Sequence, residues 1–234
     1  MKQNNNGFTL IEMSIVLIVV SLILAGVLKT VSIQRQQLKR DETRQALQII
    51  NQALVGFAAT EGRLPCPDTD ADGESNPTAL AFGNSCTSEE GFLPFVDLGV
   101  PSEDAWGNRF RYRVTSNAGI NFADNPDPGP PLLSSFAMAD DGNITVRDRD
   151  DNLVVNNIPA IVISYAENGR QTIANLPCGV GVPSVNEEKN CDNDAGVNPV
   201  FMADDYLTDF DDLVTWVSPT VLKNRMIEAG RLGN

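Results

Sequence analysis

The chain has 234 residues, 42% of them hydrophobic, enough to bury one globular core beyond a membrane segment and hardly two. It contains no histidine, which excludes Ser-His and Cys-His nucleophiles and His-bearing zinc sites. Residues 1–44 carry six Lys/Arg against three acids and the remainder eleven against 28, so the acidic part is a poor candidate for binding nucleic acid, which requires basic surface.

The opening, Gly7-Phe8-Thr9-Leu10-Ile11-Glu12, runs into an apolar stretch that ends at Leu28. As a helix, residues 8–28 would be roughly 30 Å long, the thickness of a hydrocarbon core, and the stretch predicts a membrane span. Glu12 lies inside it, where an ionised group costs at least about 2.5–3.5 kcal/mol. No cation lies within a helical turn of Glu12. Cleavage between Gly7 and Phe8 would create an α-amine beside the run, and such an amine on a neighbouring copy would neutralise the carboxylate. This predicts self-association through the helix.

Lys2, Gly7, Phe8, Thr9-Leu10, Glu12 and the apolar tail together resemble the processing site of type IV pilins and type II secretion pseudopilins. The resemblance implies a leader over 1–7, removed by a prepilin peptidase that cleaves after Gly7 and methylates Phe8. It also implies that Glu12 pairs with the Phe8 amine of an adjacent subunit. The implied partners are other pilin or pseudopilin subunits and an inner-membrane assembly platform. The positive-inside rule, applied to Lys29, Arg35, Lys39, Arg40 and Arg44, would leave the C-terminal side in the cytoplasm. Four cysteines, Cys66, Cys86, Cys178 and Cys191, instead indicate an oxidising compartment, and the resemblance requires export to the periplasm.

Over 29–60 there is no proline, and Leu47, Ile50, Leu54 and Phe57 recur at helical spacing, so the helix continues and lays an apolar stripe on the domain that follows. Gly62 and Pro65 end it. Asp68, Asp70, Asp72 and Gly73 then match the first half of an EF-hand loop. Ala79 stands at the twelfth position in place of Glu and Pro77 breaks the helix that would follow, which excludes a true EF-hand. A simpler calcium cage on Asp68, Asp70 and Asp72 is the metal expectation, set against a solvated acidic turn.

From Arg109 to Val114, Phe110, Tyr112 and Val114 alternate with Arg109, Arg111 and Arg113, predicting a strand with three apolar groups inward and a solvated arginine row outward. The preceding Asp104-Ala105-Trp106-Gly107-Asn108 resembles the start of the sheet in major pseudopilins. Residues 118–133 hold four prolines and predict a surface loop. Runs at 135–139, 143–146 and 160–165 read as strands, the last apolar enough to be central, and 211–217 as another. Ser218 and Pro219 start a helix through Glu228. The cysteines allow three pairings, and short loops favour Cys66 with Cys86 and Cys178 with Cys191.

These readings predict an α+β, pilin-like fold: leader 1–7, membrane helix 8–28, its continuation 29–60, and a β domain over 61–234 built on an antiparallel sheet of four or five strands. The expected role is a pseudopilus or pilus subunit in the inner membrane, with no enzymatic activity and no small-molecule substrate. The alternative is an adhesin carried on a pilin stalk.

Overall fold

The computed structural model describes residues 9–78, 85–117, 120–124, 134–174, 185–191, 199–206 and 209–232, with backbone only at 24–32, 116–117, 120 and 185–186. The chain divides into two compact units, Met1–Asp41 and Glu42–Asn234. Helix α1, Leu10–Glu61, contributes to both. Among the described residues no helix is long and apolar enough to cross a membrane. The described side chains of the apolar run stop at Ile23, and the leader, Phe8 and the side chains of 24–28 lie outside the described residues.

In the second unit, Leu47, Ile50, Leu54 and Ala58 of α1 are buried, following the predicted stripe, while Phe57 is half-buried beneath the Arg63 guanidinium. The helix lies on one face of a sheet formed by β1 (Glu90–Phe92), β2 (Arg111–Val114), β7 (Ala160–Ser164) and β9 (Leu213–Trp216), all antiparallel in the order β1-β2-β7-β9. Between β1 and β2 lies the short helix α2 (Phe95–Leu98), and a small hairpin, β3 (Ser116–Asn117) with β4 (Ile120–Asn121), follows β2. A second layer, ordered β6-β5-β8, is made by β5 (Ile144–Arg147), β6 (Leu153–Ile158) and β8 (Val200–Met202). The β5–β8 pair is parallel, a departure from the all-antiparallel expectation.

Strand β7 shows why three layers form. Ala160 and Val162 pack with Leu54, Tyr112 and Leu222, whereas Ile161 and Ile163 pack with Ile144, Ile158 and Phe201 of the second layer. All five residues of β7 are buried, so its unbroken apolar run needs cover on both faces. Helix α5 (Pro219–Glu228) adds Leu222 and Met226 to the α1 side; Ser218 precedes it in extended geometry and Gly230 ends it at φ 69°. A 3₁₀ turn (Ala166–Asn168), α3 (Gly169–Ala174) and α4 (Val185–Cys191) complete the described elements.

Two expectations are corrected. Residues 135–139 form bends and turns, not a strand: Ser134 Oγ turns onto the Phe136 carbonyl, and the Ala137 amide donates to Asp140 Oδ2. The arginine row is not a solvated face either. Phe110, Tyr112 and Val114 are buried as expected, but Arg113 is only 2% exposed, on the same sheet face as its register partners Glu90 and Ile161. The second layer covers that face, so Arg113 pairs with Glu90 at 3.1 Å and Glu89 at 2.9 Å, and Arg111 with Glu90 at 3.1 Å. Of the proline-rich loop, 118–119 and 125–133 lie outside the described residues.

Candidate functional site

Helix α1 opens on a reciprocal cap. The Glu12 amide donates to Thr9 Oγ1 at 3.3 Å, while the Thr9 amide and hydroxyl both donate to Glu12 Oε2 at 2.8 Å. Thr-x-x-Glu is the capping-box spacing, which satisfies amides that have no partner within the helix. The sequence reading assigns Glu12 to assembly alone, although this spacing carried the signal for its second contact.

Beyond the cap, the helix presents apolar side chains on every side: Ile11, Ile15, Ile18 and Leu22 are all exposed, as are Val16, Val20 and Ile23. Ser14 and Ser21 donate back to the carbonyls of Leu10 and Leu17 at 2.8 and 2.7 Å, which keeps their hydroxyls hydrogen-bonded within the helix. A helix apolar all round suits lipid or the apolar faces of other helices.

The structure brings Asp68, Asp70 and Asp72 together, with one carboxylate oxygen of each within 4.8 Å of the others. Asp68 is fully buried and already satisfied: Oδ1 accepts from the amides of Ala71 at 2.6 Å and Asp70 at 3.2 Å, and Oδ2 from Gly73 at 2.8 Å. Arg109 lies 4.0 Å from Asp68 Oδ2, donates to the Ala71 carbonyl and stands over the Phe92 and Phe95 rings. Asp70 and Asp72 are exposed. Gly73 is required here, since its φ is 92° and a Cβ would come within 2.5 Å of Phe95. Cys66 and Cys86 form the expected disulfide and close this loop. Cys191 is buried and also disulfide-bonded, while Cys178 lies outside the described residues.

The Asp104–Asn108 turn is structural. Asp104 Oδ1 accepts from the amides of Trp106 and Asn108 at 2.9 Å, Oδ2 accepts from Ser164 Oγ at 2.6 Å, and Asn108 Nδ2 donates to the Ala166 carbonyl at 2.6 Å. It ties β2 to the end of β7.

A second carboxylate cluster, which the sequence reading missed, gathers Glu187 of α4 with Asp211 and Asp212 at the entry to β9, again with one oxygen of each within 4.8 Å of the others. Glu187 Oε2 accepts from Asn168 Nδ2 at 2.7 Å and Oε1 from the Asp211 amide at 3.2 Å. Asp212 Oδ2 accepts from Asn190 Nδ2 at 2.7 Å, and Asp211 Oδ2 from the Glu167 amide at 2.9 Å. Asn190 is locked in turn by Met202 and by Tyr165, whose hydroxyl donates to the Asn190 carbonyl at 3.0 Å. The acids lie 24 residues apart in sequence, so only the adjacency of α4 and β9 reveals the site.

Burial and then the neighbouring Asp211 raise the Glu187 carboxyl to about 7, and burial raises Asp211 and Asp212 as well. A raised carboxyl pKa means that the folded chain keeps protons the unfolded chain has lost. The associated stability is complete below the unfolded value of about 4.3 and is lost as pH rises through about 7. With divalent ions chelated, the urea midpoint should therefore fall between pH 5 and pH 8, and Glu187→Gln should flatten that slope. A midpoint that rises with pH in wild type and variant alike would count against this electrostatic picture.

No curated protein and no solved structure matches the chain. Residues 2–28 match the family described as the prokaryotic N-terminal methylation motif, and the chain therefore carries the prepilin-type signal of type IV pilins and pseudopilins.

Proposed function

We propose that this protein is a structural subunit of a type IV pilus or type II secretion pseudopilus. In this reading it is cleaved after Gly7, methylated at Phe8 and held in the inner membrane by residues 8–28, with its C-terminal domain in the periplasm. The observation that carries the reading is the methylation motif running directly into a helix whose described apolar residues, Leu10 to Ile23, are exposed all round. Such a surface needs lipid before assembly and neighbouring helices afterwards. The disulfide at Cys66–Cys86 supports an oxidising location for the domain.

Processing is the most direct test. Co-expressed with a prepilin peptidase, the wild-type chain should lose residues 1–7 and gain one methyl group, read by intact mass. Gly7→Leu should retain the leader, because a bulky side chain at the cleaved bond obstructs the peptidase. A wild-type chain that keeps its leader, or one cut elsewhere, would overturn the assignment.

A further inference from the structure

We propose that Glu187, Asp211 and Asp212 form a binding site for one calcium ion, distinct from the acidic loop at Asp68. The cluster alone would not carry this; the state of its innermost member does. Asp212 is 4% exposed, and its Oδ1 has no hydrogen-bond partner among the described residues; Asp211 Oδ1 is likewise buried without one. No cationic side chain among the described residues pairs with either aspartate. A buried, unpartnered carboxylate oxygen is costly, and native proteins resolve it with a proton, a water or an ion.

A proton accounts for only part of the arrangement. Glu187 and Asp211 are close enough to share one, and burial favours another on Asp212, but neither places a hydrogen-bonding group against Asp212 Oδ1. A cation among the three would give the buried Asp212 carboxylate the partner it lacks. The contrast with the first cluster is direct: there the buried Asp68 receives three backbone amides and an arginine, whereas Asp212 receives a single amide, from Asn190.

The ligand chemistry selects the ion. An all-oxygen set of carboxylates suits a hard cation, not zinc or copper. Magnesium demands near-ideal octahedral geometry and gives up its waters reluctantly, whereas calcium accepts six to eight oxygens in irregular arrangements. Three carboxylates gathered from α4 and the entry to β9, with one oxygen of each within 4.8 Å of the others, form such an irregular set. The scaffold is also set in advance. Asn190 holds Asp212 and bridges to Met202, Asn168 holds Glu187, and the disulfide at Cys191 anchors the end of α4.

The test uses the full chain in detergent, stripped with chelator and titrated with calcium chloride alone, and does not depend on filament assembly. Calorimetry should give one calcium per chain, with magnesium at least tenfold weaker, and saturating calcium should raise the thermal midpoint of the domain. Asp212→Asn should lose both binding and the rise, and Asp70→Ala should retain both. If Asp212→Asn does not fold, Glu187→Gln takes its place with the same expected loss. The absence of binding at millimolar calcium, binding that survives at wild-type strength in the cluster variant, or binding lost only in Asp70→Ala would each overturn the proposal.

Discussion

Arg113→Ala should lower stability by about 3–5 kcal/mol, the cost of removing one partner from a buried ion pair. Arg113 is 2% exposed and Glu90 7% exposed; they stand opposite each other in the β1–β2 register, with Glu89 on the second guanidinium nitrogen. Without the guanidinium, Glu90 keeps only Arg111 as a counter-ion among the described residues, at 3.1 Å. The loss comes from stranding a charge and not from the net value of the pair. Replacing both partners by apolar residues, Arg113→Met with Glu90→Leu, should therefore recover a large part of it. Urea denaturation of the two variants decides the matter. A single-variant loss below about 1 kcal/mol would mean that solvent screens the pair as it does at exposed sites.

The second large effect is on assembly. Glu12→Ala should abolish entry into filaments while leaving the Glu42–Asn234 unit folded, because Glu12 lies in the other compact unit. Alanine alone is ambiguous, since it removes both the charge and the carboxylate that accepts from the Thr9 amide and hydroxyl. Glu12→Gln separates the two roles: the amide oxygen still accepts from the Thr9 backbone, as the capping-box pattern allows, but the negative charge is gone. If Glu12 neutralises the Phe8 amine of a neighbour, both variants fail to assemble. If it serves only to cap α1, the glutamine variant assembles normally and the pairing idea is wrong. Sheared-filament yield, set against whole-cell levels of the processed subunit, provides the readout.

What the sequence determined by itself was local. The methylation motif is a run of neighbouring residues, the apolar stripe of α1 follows from helical spacing, and the Cys66–Cys86 pairing follows from a short loop. The alternation that turns Phe110, Tyr112 and Val114 inward is equally local, because a strand puts successive side chains on opposite faces whatever it packs against. What covers the other face is a tertiary matter. Nothing within 109–114 announces that β5, β6 and β8 will form a second layer and turn an arginine row into a buried ion-pair network. The parallel β5–β8 pair escaped for the same reason, since it joins segments more than 50 residues apart through a three-residue strand with little periodicity of its own. The two acidic clusters divide along this line. Asp68, Asp70 and Asp72 are legible because they alternate within five residues, and the fold then satisfies the buried one with its own loop amides. Glu187, Asp211 and Asp212 have no spacing to read. They meet only because Asn190 draws α4 onto β8 and the start of β9, and burial, which no linear pattern encodes, is what leaves Asp212 in need of a partner.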